Sequence, residues 1–176
     1  MKKILTIVIV MLAFSASAQK LEAHFTESKF IKASGKTLEA EGTFKLYSTD
    51  KMDMTYTKPA GDYFKIDGKT LSMNLRGKKS VVDTEKNTTV RTQRNTLMNC
   101  INGNWKQAAT DNNAETSVVE KDGNKVVTLS AKKAAPRGYS KIIVTYRKSD
   151  NIPVELVFEE FNGTVTTYKM SNIVKK

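Results

Sequence analysis

Apolar residues fall on every second position through much of the segment from residue 42 to 75. A period of two is typical of strands with one buried face and one face in solvent. The predicted buried face is rich in methionine, whose flexible thioether side chain adapts to irregular partners. Two interpretations are open: an ordinary sheet core, or a face that binds something apolar and variable, such as acyl chains. The candidate apolar-binding residues on these strands are Phe44, Leu46, Met52, Met54, Tyr56, Phe64, Ile66, Leu71, Met73 and Leu75.

Alternating segments separated by turn signals continue along the chain. Asp67-Gly68, Asp122-Gly123 and Asn162-Gly163 are strong hairpin signals between such segments. The pattern therefore predicts an antiparallel meander. The predicted strands are residues 22–32, 38–47, 51–57, 63–67, 70–75, 79–83, 115–121, 125–131, 140–147, 154–160 and 165–172.

The segment from residue 90 to 101 interrupts this alternation. Val90, Leu97, Met98 and Ile101 fit one stripe of a helix, and Gly103 follows as a stop signal. Such a helix could cover the mouth of the sheet or simply complete its core, and the pattern fits both roles. The residues after it, 104–114, are mostly polar and predict a loop.

The N-terminus has the three parts of a secretory signal peptide. Met1-Lys2-Lys3 is followed by an apolar run over 4–14 and by Ala16-Ser17-Ala18, an A-x-A cleavage site. We expect cleavage after Ala18, which leaves residues 19–176 as a single domain. Because no cysteine follows the apolar run to accept a lipid, we expect the mature protein to be soluble.

The chain is strongly basic, with a formal net charge of +11. Removal of Lys2 and Lys3 with the signal peptide leaves +9. The lysines are spread over predicted outward strand positions and turns, and no basic helix face is interleaved with aromatic residues. This distribution argues against nucleic acid as a partner and fits anionic lipid head groups, acidic proteins, or solubility alone.

The sequence lacks the common catalytic motifs. It contains no G-x-S-x-G, Walker or HExxH sequence and no paired CxxC. A single histidine, His24, and a single cysteine, Cys100, leave little for a metal site or a nucleophilic triad. We therefore expect a protein that is not an enzyme and that needs no metal or cofactor.

Several of these segments together resemble the periplasmic outer-membrane lipoprotein carrier family, of the LolA type. The resemblance covers most of the chain and rests on Phe25-Thr26-Glu27-Ser28, residues 52–59 (Met-Asp-Met-Thr-Tyr-Thr-Lys-Pro) and Asp67-Gly68-Lys69-Thr70-Leu71. It implies a mainly β fold: an incomplete, strongly curved antiparallel β-barrel of about 11 strands with a helical plug or lid. It also places Leu97, Met98 and Ile101 on the helix that caps the cavity, which makes them further candidate apolar-binding residues.

The resemblance also implies a function. The cavity would shelter the acyl chains of lipoproteins or related lipids between an inner-membrane release complex and an outer-membrane acceptor. Each methylene removed from water is worth ~0.8 kcal/mol, so bare acyl chains need such shelter. A carrier of this kind is expected to be periplasmic and monomeric. The alternative is an envelope sensor or adaptor on the same fold, which would bind a lipid or lipoprotein and signal through a stable protein partner.

Two features depart from the family pattern, and both concern the lid. Ser48-Thr49 stand where the family usually has an Arg-Pro pair whose arginine locks the lid. Only a few residues separate Ala18 from the first predicted strand, so the usual preceding helix is missing.

The exported protein is predicted to begin at Gln19. N-terminal sequencing of the native protein should therefore read Gln-Lys-Leu-Glu. Recovery of Met1, or of an acylated first residue, would show that the signal peptide was misidentified.

Overall fold

The computed structural model describes residues 20–134 and 138–176. The predicted signal peptide and Gln19 lie outside the described residues. None of the helices in the described ranges is both long enough and apolar enough to span a membrane.

Within the described ranges, eleven strands form where the alternating pattern predicted them. They are β1 (Leu21–Ile31), β2 (Lys36–Ser48), β3 (Lys51–Lys58), β4 (Tyr63–Asp67), β5 (Thr70–Leu75), β6 (Lys78–Asp83), β7 (Ala114–Lys121), β8 (Asn124–Ala131), β9 (Tyr139–Arg147), β10 (Pro153–Glu160) and β11 (Val165–Lys175). The largest difference from the prediction is at β11, which continues beyond residue 172. Asn172 has a positive φ of 51° where the β1–β11 register shifts, so a bulge stands where the pattern suggested an end.

All eleven strands belong to one antiparallel sheet that does not close. The order across the sheet is β6-β5-β4-β3-β2-β1-β11-β10-β9-β8-β7. The first and last strands of the chain pair in the middle, with Phe25 opposite Met170 and Glu27 opposite Tyr168. This pairing joins the two meanders, β1–β6 and β7–β11, and leaves β6 and β7 as the edges. The prediction of a mainly β, open, curved sheet is confirmed.

The hairpin turns define two ends of the sheet, which we call the upper and lower ends. The upper end carries the turns at residues 32–35, 59–62, 76–77 and 161–164. The lower end carries those at residues 49–50, 68–69, 122–123 and 148–152. At 122–123 both Asp122 and Gly123 have positive φ, 51° and 71°, as a type I′ turn requires.

Two helices connect the meanders. A 3₁₀ turn at Thr84–Lys86 leads into α1 (Thr88–Ile101), and Asn87 caps α1 by accepting a hydrogen bond from the backbone N–H of Val90. The predicted helix is therefore confirmed. The loop predicted for residues 104–114 was wrong, because α2 (Trp105–Asp111) forms there.

The helix α2 was missed because its buried side is made of small residues. Ala108 and Ala109 are 0% and 6% exposed, but the rest of the segment is polar and shows little apolar periodicity. Contact with the rest of the protein stabilises this short helix more than its own sequence does.

Part of the packed core lies at the lower end of the sheet, where the last turns of α1 meet it. Met98, Cys100 and Ile101 from the last turns of α1 are buried there. The other fully buried large side chains include Phe25, Leu129, Ile142, Tyr146, Ile152 and Leu156. The helix thus fills one end of the curved sheet.

A close approach between β2 and β3 depends on Gly42. A Cβ atom at this position would lie 2.2 Å from the carbonyl oxygen of Thr55 and 2.9 Å from Cε1 of Phe25. The strand pairing also shifts register between Glu41 and Gly42. The backbone at this bulge therefore leaves no room for a side chain.

We predict that Gly42→Ala destabilises the protein. Overpacking against backbone atoms is expected to lower the melting temperature by roughly 3–10 °C, measured by circular dichroism. Thr43→Ala, at an exposed neighbouring position, is the matched control and should change the melt little. Equal melting temperatures for Gly42→Ala and the wild type would contradict the close approach.

Candidate functional site

A cavity of about 650 Å³ lies between the curved sheet and α1. Its walls come from β1 to β5, from β10 and β11, and from one side of α1. The lining reaches the upper end, where Leu75 and Arg76 are exposed at the rim. The volume falls within the range of about 300–1,000 Å³ that is usual for ligand sites.

Cross-strand register arranges the predicted residues in two rows. Strand pairing places Leu46, Met52, Ile66 and Leu71 in a lower row. The next row toward the upper end contains Phe44, Met54, Phe64 and Met73. All four residues of the upper row line the cavity, but only Leu71 of the lower row does.

Nine of the predicted binding residues line the cavity. They are Phe44, Met54, Tyr56, Phe64, Leu71, Met73, Leu75, Leu97 and Ile101. Leu75 was expected on the buried face, but it is 39% exposed because it lies at the rim.

The other four predicted residues belong to the packed core and do not line the cavity. Leu46, Met52, Ile66 and Met98 are 2%, 0%, 0% and 5% exposed, respectively. Alternation correctly identified the inward face of the strands. Alternation could not show which residues of that face are covered in the core and which line the cavity.

Part of the wall was not among the predicted residues. Strands β9, β10 and β11 contribute five large side chains to this part of the wall. They are Tyr139 on β9, Leu156 and Phe158 on β10, and Tyr168 and Met170 on β11. Their alternation was visible in the sequence and predicted strands. What the sequence did not reveal was the β1–β11 pairing, which brings these strands beside the first meander.

An aromatic wall runs along this side of the cavity. The rings of Phe25 and Tyr56 meet edge to face, with centroids 5.1 Å apart. Phe158 contacts Tyr139 at 4.9 Å and Tyr168 at 6.4 Å, both between ring centroids. Such contacts give this wall a defined shape, in contrast to the flexible methionines opposite.

The tyrosine hydroxyls give the wall a polar but uncharged component. Tyr56 donates a hydrogen bond of 2.7 Å from its hydroxyl to Oε2 of Glu27. Burial raises the pKa of Tyr139 to about 12, and burial and the Glu27 carboxylate raise the pKa of Tyr168 well above its usual value. These hydroxyls stay protonated at physiological pH, so they add polar groups to the wall without adding charge.

The rim of the cavity is charged. Lys29, Glu39, Asp62, Arg76 and Glu160 line it near the upper end. Asp62 is 7% exposed, and both of its carboxylate oxygens accept hydrogen bonds from the backbone N–H of Arg76, at 2.8 and 2.9 Å. The cavity is thus apolar in its depth and polar at its edge.

The helix α1 forms a wall held by a few side-chain hydrogen bonds. Arg94 donates to the carbonyl of Gly68, and Asn102 donates to the carbonyl of Thr49 at 3.0 Å. Tyr146 donates from its hydroxyl to the carbonyl of Cys100 at 2.7 Å. The family pattern has an arginine–proline pair at residues 48 and 49. In this protein the backbone carbonyl of Thr49 accepts the hydrogen bond that links this turn to the end of α1.

Arg94 also faces the cavity. Its Nε atom is buried and has no hydrogen-bond partner among the described residues. One terminal nitrogen donates to Oδ1 of Asn95 at 2.7 Å. Arg94 is therefore a charged residue in a wall that is otherwise mostly apolar.

The described residues show no constellation for catalysis. They contain no group of three or more His, Cys, Asp or Glu side chains placed to hold a metal. Cys100 is 0% exposed, and burial raises the pKa of its thiol to about 12. The thiolate that a nucleophile needs is therefore scarcely populated at neutral pH.

Residues 16–176 match the family model described as outer membrane lipoprotein carrier protein LolA. A search of curated protein sequences gave no match. Solved structures are similar to this chain at low sequence identity. A LolA superfamily protein from Nitrosomonas europaea is 8% identical, with 89% of this chain and 86% of that chain covered and a TM-score of 0.41.

Two further structures extend the comparison. The Mycobacterium tuberculosis lipoprotein LppX is 15% identical, with 86% of this chain and 85% of that chain covered and a TM-score of 0.37. A chain in the Pseudomonas aeruginosa MucA/MucB complex is 8% identical, with 89% and 52% covered and a TM-score of 0.53. At these identities, the likeness concerns the fold alone.

Cys100 is predicted to be inert in the folded protein. Ellman's reagent at mildly alkaline pH should detect no reactive thiol in the native protein, because the sulfur is buried and protonated. One equivalent should appear after denaturation in guanidinium chloride, which serves as the positive control. Fast reaction of the native protein would mean that the thiol is accessible and would reopen a nucleophilic function.

Proposed function

Because this chain belongs to the outer membrane lipoprotein carrier protein (LolA) family, we propose that it is a periplasmic carrier for lipid-modified cargo. Its cavity would shelter the acyl chains of lipoproteins or related lipids on the way from the inner to the outer membrane. The observation that carries this proposal is the cavity of about 650 Å³, whose wall is mostly apolar and whose charged residues lie mostly near the rim.

The composition of the wall suits an acyl chain. Met54, Met73 and Met170 present flexible side chains that adapt to a chain of variable shape. Each methylene transferred from water into such a wall contributes ~0.8 kcal/mol, so several are enough to retain an amphiphile. The polar rim leaves the head of the amphiphile, or the attached lipoprotein, in water.

Release of cargo is also compatible with this site. The helix α1 covers the cavity through side-chain hydrogen bonds from Arg94 and Asn102 to carbonyl groups in two turns of the sheet. Breaking these bonds would loosen the cover over the cavity without disturbing strand pairing, while Met98, Cys100 and Ile101 keep the last turns of the helix in the core. We propose that an inner-membrane release complex loads the cavity and that an outer-membrane acceptor empties it.

A second candidate function is an envelope sensor or adaptor that binds a protein partner. The edge strand β7 favours it, because seven of its eight residues are exposed and Val118 and Val119 are 45% and 54% exposed. An exposed edge offers unpaired backbone groups to an added strand. Such a protein would form a lasting complex instead of turning over cargo.

A pair of charge substitutions on β3 tests whether the cavity binds acyl chains. Met54 lines the cavity, whereas Met52, two residues away, lies in the core. We expect Met54→Lys to abolish retention of a fluorescent fatty acid while lowering the melting temperature only slightly, because the lysine can extend toward the rim. Lipids extracted from wild type and variant and measured by mass spectrometry should show the same loss.

Met52→Lys is the matched control. It buries a charge in the core without a partner and should unfold the domain. If Met54→Lys also unfolded the protein, the site would be ordinary core and the carrier proposal would fail. Full retention of the probe by a folded Met54→Lys protein would equally contradict it.

A further inference from the structure

Positive charges without ion-pair partners collect on two hairpin tips at the upper end. The β1–β2 tip carries Lys29, Lys32 and Lys36, and the β5–β6 tip carries Arg76, Lys78 and Lys79. Among the described residues, none of these six side chains lies within 4.0 Å of a carboxylate oxygen.

Many cations at the lower end are, by contrast, paired. The Nζ atoms of Lys51 and Lys148 lie 2.8 and 2.7 Å from carboxylate oxygens of Asp67 and Glu120. Lys176 lies 2.7 Å from Glu22 in the same way. Lys20, Lys69 and Lys121 at the lower end also have no carboxylate within 4.0 Å in the part of the chain that the structure describes, but they lie on separate segments, whereas the six unpaired cations of the upper end share two hairpin tips.

The acidic residues at the rim are engaged by protein groups. Asp62 accepts both hydrogen bonds from the backbone of Arg76, and Glu39 accepts one of 2.8 Å from the hydroxyl of Ser28. Glu160 accepts one of 2.9 Å from the side-chain amide of Asn162. These carboxylates keep their charge and line the cavity, whereas Lys32, Lys36, Lys78 and Lys79 lie on the tips outside the lining.

Each of the two basic tips also exposes one large apolar side chain. Phe30, on the β1–β2 hairpin, is 41% exposed, and Leu75, on the β5–β6 hairpin, is 39% exposed. Apolar side chains flanked by lysine and arginine are typical of surfaces that enter the head-group region of an anionic bilayer. Lys29 and Arg76 line the cavity as well, so the basic surface is continuous with its rim.

We propose that these two tips dock the protein on an anionic lipid bilayer with the rim of the cavity toward the membrane. The basic side chains would contact lipid phosphates, and Phe30 and Leu75 would enter the head-group region. Docking in this orientation would bring the cavity to the membrane surface, where the release complex and the acceptor lie, and would limit the exposure of an acyl chain to water. This inference rests on the proposed carrier function but concerns a different surface.

Vesicle co-sedimentation of the exported protein tests the proposal. We expect the wild type to bind vesicles of phosphatidylcholine and phosphatidylglycerol in equal parts, and to bind phosphatidylcholine vesicles weakly. The triple variant Lys36→Glu, Lys78→Glu and Lys79→Glu should lose affinity for the mixed vesicles by about 100-fold or more. Raising the salt concentration should weaken wild-type binding in the same direction.

A triple variant at the lower end provides the matched control. This control combines Lys20→Glu, Lys69→Glu and Lys121→Glu, which make the same change in charge at exposed positions of the opposite end. It should reduce vesicle affinity much less. Equal losses for the two triple variants would overturn the proposal, since net charge alone would then explain binding. Failure of the wild type to bind anionic vesicles would overturn it too, and would favour a protein as the partner at this end.

Retention of the fluorescent fatty acid separates this inference from the proposed function. Both triple variants should hold the probe like the wild type, because none of their altered residues lines the cavity. Vesicle binding without probe retention in the wild type would refute the carrier function and not the docking surface. Probe retention without vesicle binding would refute the docking surface and leave the carrier function standing.

Discussion

The pairing of β1 with β11 is the contact on which the rest of the structure depends. It joins the first and last strands of the chain, so that two separate meanders become one sheet of eleven strands. Without it, Phe158 and Tyr168 would not face Met54 and Phe64 across a common space. Because the partners are far apart in sequence, this pairing carries a large loop-closure cost that only the assembled sheet and core can offset.

Partial filling by α1 turns the concave face of that sheet into both a core and a cavity. The last turns of the helix bury Met98, Cys100 and Ile101 against the lower end. Leu97 and Ile101, with Arg94, form a wall of the cavity. The same helix therefore provides stability at one end and leaves volume at the other, and Ile101 contributes to both.

The chemistry of the cavity is that of a binding site. Its buried tyrosines keep their protons because burial raises their pKa values, and Cys100 keeps its proton for the same reason. Most of its charged residues lie where the wall meets solvent, as Lys29 and Arg76 do, and Arg94 on α1 is an exception. A mostly apolar interior with a charged edge is the arrangement on which the proposed binding of an amphiphile rests.

The sequence by itself determined the strands, the position of α1 and the family. Alternation of period two identifies which side chains share a face, and it did so correctly for Met52, Met54 and Tyr56, all of which are buried. Tertiary structure decided where along that face the core ends and the cavity begins. Met52 lies in the core and Met54 lines the cavity although they share one face of β3, and no periodicity distinguishes two residues on the same face. Small buried residues such as Ala108 and Ala109 give α2 almost no pattern, so only packing with the rest of the chain revealed it.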